Sequence, residues 1–123
     1  MGQLHTPPGW PAEVRPPGAP DWERTAVGWL FDLCPPEYRA HDVLRRYPVV
    51  LARFAAEHVG AGVAAARRGL ATARADLRDV VSADVVDAAI AAYEREGARL
   101  ARMERSVRLV EEALRGRRFV AKL

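Results

Sequence analysis

Apolar residues recur every three or four positions along two long stretches of this chain. In the first, Val49, Ala52, Ala56, Val59, Val63, Ala66, Leu70, Ala73, Leu77 and Val80 form an unbroken a/d seam free of charge. Arg53, Glu57, Arg67, Arg68, Arg74, Asp76, Arg78 and Asp79 fall on the other faces. The second stretch carries Val86, Ile90, Tyr93, Gly97, Leu100, Met103, Val107, Val110 and Leu114, with one slip in spacing near Leu100. The pattern predicts helices over about 48–80 and 83–115, each roughly 50 Å long at 1.5 Å per residue. Val80-Val81-Ser82-Ala83 is too short a link for anything but antiparallel neighbours. Ser82 is the expected N-cap, followed by Asp84 and Asp87 where the helix dipole favours negative charge. Leu114-Arg115-Gly116 reads as a stop.

The seam is rich in Ala, with Gly62, Gly69 and Gly97 beside it. Small residues let backbones approach but bury little area, about 1 kcal/mol or less per alanine. The half of the hairpin near the turn is therefore its weaker end, and a second copy packing alongside as a four-helix bundle would relieve it. At the base, Val50, Leu51, Phe54, Val107, Leu109, Val110, Leu114, Phe119, Val120 and Leu123 gather more apolar bulk than two helices can cover.

The N-terminal part supplies a cover. Trp22, Ala26, Trp29, Leu30 and Leu33 make one stripe on a helix of about 22–33, with Asp21 as its expected cap and Pro35-Pro36 as its end. A short helix of about 37–46 follows, with Tyr38, Val43 and Leu44 inward, and Pro48 opens the first long helix. Six of the nine prolines lie in residues 1–20. That segment is expected to run extended, partly as polyproline II. Trp10 and Val14 are expected to tuck into a groove of the domain; the alternative is a Pro-rich ligand for a partner. In the tail 117–123, Phe119 and Leu123 are expected to fold back on the base, or else to be captured by a partner. The fold class is thus all-α: a long antiparallel helical hairpin, two short N-terminal helices at its base, and a Pro-rich extended arm. The chain divides into arm 1–20, helical domain 21–116 and tail 117–123.

Length and charge narrow the class further. A chain of 123 residues is one domain. No apolar run of about 18 residues is evident, the N-terminus shows no charged-then-apolar signal pattern, and Cys34 has no internal partner. A cytoplasmic protein with no membrane contact is expected. The net charge of +3 is mild, and every basic residue but Lys122 is arginine. Arginine for lysine with abundant alanine is a habit of GC-rich genomes, so the basic balance alone does not point to nucleic acid.

Candidate chemistry is sparse. There is no Gly-rich phosphate loop, GxSxG, HExxH or CxxC. His41 and His58, with Cys34 or Asp42, are the one constellation the hairpin base could assemble; a partly buried, hydrogen-bonded histidine is the simpler reading. No catalytic residue, metal ligand or cofactor is assigned. Glu104–Arg108, Arg108–Glu112 and Glu111–Arg115 are i,i+4 supports worth a few tenths of a kcal/mol each. Arg53, Arg67 and Arg74 share one heptad position, and Arg95, Arg99, Arg102 and Arg105 form a denser patch. Acidic residues interleave and no aromatics stand among them, so a solvated face or charge pairing across a dimer is preferred to a phosphate track.

The runs Pro8-Gly9-Trp10-Pro11, Arg15-Pro16-Pro17-Gly18-Ala19-Pro20-Asp21-Trp22-Glu23, Trp29-Leu30-Phe31-Asp32 and Leu44-Arg45-Arg46-Tyr47-Pro48 resemble a family of small helical actinobacterial proteins of uncharacterised function. The likeness continues in Tyr38-Arg39, Glu112-Ala113-Leu114-Arg115-Gly116 and Lys122-Leu123. The resemblance implies a free-standing cytoplasmic protein and assigns it no particular activity, cofactor or catalytic residue. The expected function is a non-enzymatic adaptor or regulatory protein, a homodimer that meets an unknown protein partner through the Arg-bearing faces or the anchors Trp10, Phe119 and Leu123. A nucleic-acid-associated protein is the alternative, and an enzyme with a site near Trp29, Cys34, His41 and His58 a third.

Overall fold

The computed structural model describes residues 5–120. Within them the chain is all-helical: α1 Trp22–Leu33, a 3-10 turn Pro36–Ala40, α2 Asp42–Arg46, α3 Pro48–Leu77 and α4 Ala83–Leu114. The two long helices pack against each other in opposite directions. Arg74 reaches Asp87, Gly69 meets Tyr93 and Gly62 meets Leu100, so positions rising along α3 pair with positions falling along α4. Their link is tighter than a bare turn. Arg78, Val80 and Val81 donate backbone N–H bonds to Arg74, Leu77 and Leu77, closing α3 before the β-branched Val80-Val81. The Ser82 hydroxyl then accepts from Val85 N–H at 3.4 Å as the expected cap. Hence α3 ends at Leu77, not Val80, and Val80 is 74% exposed rather than part of the seam.

At its far end α4 stops at Leu114. Gly116 lies at φ +100°, its N–H bonding Ala113 O and that of Arg117 bonding Glu112 O. These are the two bonds of a Schellman motif, and the left-handed conformation requires the glycine.

The core sits at this end. Leu30, Leu44, Leu51, Val107 and Val110 are wholly buried, with Ala26, Phe31, Cys34, Ala52, Ala55 and Val59 around them. α1 and α2 both pack on α3, and α1 also touches α4. Among the described residues, no buried side-chain polar atom lacks a partner.

Three sequence expectations give way here. The arm is not extended polyproline II over residues 5–20. Pro7-Pro8-Gly9-Trp10 and Pro16-Pro17-Gly18-Ala19 each close a turn, with N–H to O bonds of 3.1 and 3.0 Å and glycine φ of +92° and +93°. Proline then glycine at the centre of a turn is the type II signature, which this chain carries twice. Val14 N–H to Pro11 O adds a third turn. Next, the segment 37–46 is not one helix. His41 is extended, at φ −91° and ψ 111°, separating the 3-10 turn from α2 and leaving Val43 46% exposed. Finally, Asp21 makes no cap bond. Its carboxylate instead pairs with Arg24 at 3.3 Å and Arg15 at 3.5 Å, and Thr25 Oγ1 takes the Arg15 backbone N–H.

By length and composition α3 also reaches the range of a membrane span. The expectation that no segment does so is corrected. At the base Leu51, Ala52, Ala55, Ala56 and Val59 of α3 are buried in the core, while Arg53 and Glu57 pair on its outer surface at 3.8 Å.

Candidate interaction surface

The α3–α4 contact changes character along its length. Beyond Ala66 only Ala73 and Val86 are buried. Leu70 stays 38% exposed, Tyr93 37% and Val85 50%. The cause is the small residues: Tyr93 lies against Gly69 and Leu100 against Gly62, which brings the backbones close but leaves the large side chains riding over the seam. No other element covers this half, since α1 ends at Leu33 and α2 packs at the base.

Two grooves flank the contact. One continues from the end of α1, lined by Leu33, Val59, Gly62, Leu100 and Met103, with Asp32, His58 and Arg99 among its rim residues. The other is made wholly by the long helices. Val63, Ala66, Leu70, Tyr93, Gly97 and Ala101 line a groove of about 240 Å3, with Arg67 and Glu94 also at it.

The candidate arginines do not form one patch. Arg53 pairs with Glu57, Arg74 crosses to Asp87 at 3.3 Å, and Arg99 Nε donates to Glu96 Oε2 at 3.0 Å. That bond holds the Glu96 carboxyl below its ordinary range. Arg95, Arg99 and Arg102 share one shallow depression with Glu96. Among the described residues, Arg67, Arg95, Arg102 and Arg105 have no carboxylate within ion-pair distance. Of the i,i+4 supports, Glu104–Arg108 and Glu111–Arg115 form at 3.5 and 3.2 Å, whereas Glu112 goes to Arg117 rather than Arg108.

Both described tail anchors are docked. Trp10 packs at 5.9 Å from Phe119, edge to face, and 6.5 Å from Trp22, while its indole N–H donates to Val14 O at 2.9 Å. Ser106 Oγ donates to Gly9 O at 2.7 Å, fixing the arm to α4. Leu123 lies outside the described residues.

The constellation at the base is dispersed. Cys34 is buried, and burial raises its thiol pKa. His41 is exposed, and the exposed His58 stacks edge-on against Tyr38 at 6.0 Å. Among the described residues no three His, Cys, Asp or Glu side chains converge as metal ligands.

Leu70 stands in the sequence as one seam residue among ten, and Glu94 as one of the acidic residues interleaved with the arginines. Their place beside Arg67 had one local signal. Positions 63, 64, 70 and 71 around Arg67 are Val, Ala, Leu and Ala, and positions 90, 91, 97 and 98 around Glu94 are Ile, Ala, Gly and Ala. Neither residue has an opposite charge on its own helix face. No protein-family model matches the chain, and neither a curated protein nor a solved structure matches it.

Proposed function

We propose that this chain is a small cytoplasmic, non-enzymatic protein-interaction module that works as a homodimer. The observation that carries the reading is the distal half of the α3–α4 pair. Leu70, Val85 and Tyr93 stand uncovered there on two helices long enough to need a partner. Monomeric proteins seldom leave such faces bare, and a two-helix layer reaches a closed core most directly against a second two-helix layer. In this reading the hairpin is the dimer element. The docked arm and base are the scaffold, and the arginine faces meet an unknown protein partner. Its place among the small helical actinobacterial proteins it resembles belongs to the same proposal.

Sedimentation velocity at tens of micromolar tests the dimer: a dimer is expected, and a monomer overturns it. Capture from native lysate with and without nuclease tests the adaptor role. A protein retained in both samples is expected. The shared depression of Arg95, Arg99 and Arg102 favours nucleic acid as the second reading. Captured material lost with nuclease, and binding that falls steeply between about 50 and 200 mM salt, would establish that reading instead.

A further inference from the structure

The distal face has two sides, and charge distinguishes what fits one of them. The groove of Val63, Ala66, Leu70, Tyr93, Gly97 and Ala101 is built by α3 and α4 alone. Its α3 rim is basic, with Arg67 and, seven residues on, Arg74; its α4 rim is acidic, with Glu94 and, seven residues before, Asp87. Arg74 and Asp87 already pair within the chain at 3.3 Å. Arg67 and Glu94 stand one heptad nearer the base, level with each other, and neither has an ion-pair partner among the described residues.

A second copy whose helices run in line with these can cover this groove about a two-fold axis in two ways. An axis across the helices stacks α3 on the partner's α3 and α4 on the partner's α4. Arginine then opposes arginine and carboxylate opposes carboxylate, an arrangement that like-charge repulsion rejects. An axis along the helices sets α3 over the partner's α4, turns at the same end, with Arg67 level with Glu94 of the partner subunit. Taking the homodimer proposed above as its premise, we infer that this groove is the dimer seat. The two copies lie side by side along the helices, with turns together, and are held in register by two reciprocal Arg67–Glu94 bonds between subunits. Leu70 and Tyr93 fill the apolar centre, and the charges flank it as e and g positions do in coiled coils.

The test mixes two full-length variants, R67E and E94R. Alone, each puts two like-charge pairs across the seat and dimerises about tenfold more weakly than the native chain. In the mixture, the glutamate introduced at position 67 of one variant faces the arginine introduced at position 94 of the other. The second variant keeps Arg67, which meets the Glu94 that the first variant keeps. Both pairs become attractive, and native mass spectrometry shows heterodimer in excess of its statistical share. The double variant R67E/E94R regains the native dimer affinity. Circular dichroism of each variant checks that the helices persist. A native chain that is monomeric removes the dimer reading itself. A native dimer whose variants mix statistically leaves the dimer standing and overturns this seat, because a pairing within one chain gives no preference for the other variant.

Discussion

The ring of Tyr93 occupies the space where Gly69 would carry a side chain: a Cβ there would lie 2.2 Å from Cε1 and 2.6 Å from Cζ. The two residues fit against each other across the long helices in the distal half. Gly28, in the middle of α1, has nothing within 4 Å of the same position. Alanine favours a helix over glycine by about 1 kcal/mol at either site. Gly28→Ala is therefore expected to stabilise by up to about 1 kcal/mol. Gly69→Ala is expected to destabilise by about 1–2 kcal/mol, because the ring must leave its seat. Urea unfolding of both variants reads the contrast, and a stabilising Gly69→Ala would show that the ring gives way freely.

The arm and the tail are joined through Trp10 and Phe119, 5.9 Å apart. Trp10→Ala is expected to lower stability by about 1–2 kcal/mol, since the ring is half-buried rather than enclosed. Trp10→Ala with Phe119→Ala is expected to cost less than the sum of the singles, with a coupling of about 0.5–1.5 kcal/mol. Strict additivity would mean that the contact contributes nothing.

Burial pushes the Cys34 thiol above its ordinary value of 9.0, against a smaller lowering by the Arg39 guanidinium. The folded chain thus keeps a proton that the unfolded chain releases. This contribution is complete below about pH 9 and is lost as pH rises through the raised folded value. Urea midpoints from pH 7 to 10.5 should fall more steeply for the native chain than for Cys34→Ala. Equal slopes would remove the assignment. The native thiol is also expected to resist a disulfide reagent until urea opens the core.

Two helix ends give local tests. Ser82→Ala is expected to cost about 1 kcal/mol through loss of the bond to Val85 N–H. Gly116→Ala forces a side chain to φ +100° and is expected to cost about 1 kcal/mol. Thermal melts resolve both, and a neutral Ser82→Ala would mean that water serves the helix end equally well.

What rests on near neighbours was legible in the order of residues. Three-and-four spacing placed both long helices and α1, Ser82 marked the start of α4, and Gly116 its end. Those signals are local because helix periodicity, caps and left-handed glycines act within one or two turns of chain. The turns at Pro7–Trp10 and Pro16–Ala19 were equally local, but the density of proline concealed them behind an extended reading. Packing between distant segments settled the rest. That Trp10 meets Phe119, that His41 and His58 both end at the surface, and that Arg67 stands level with Glu94 all depend on how one element slides along another. That register follows from Tyr93 over Gly69 and Leu100 over Gly62, fits between side chains far apart in the chain, which periodicity on either helix alone does not encode.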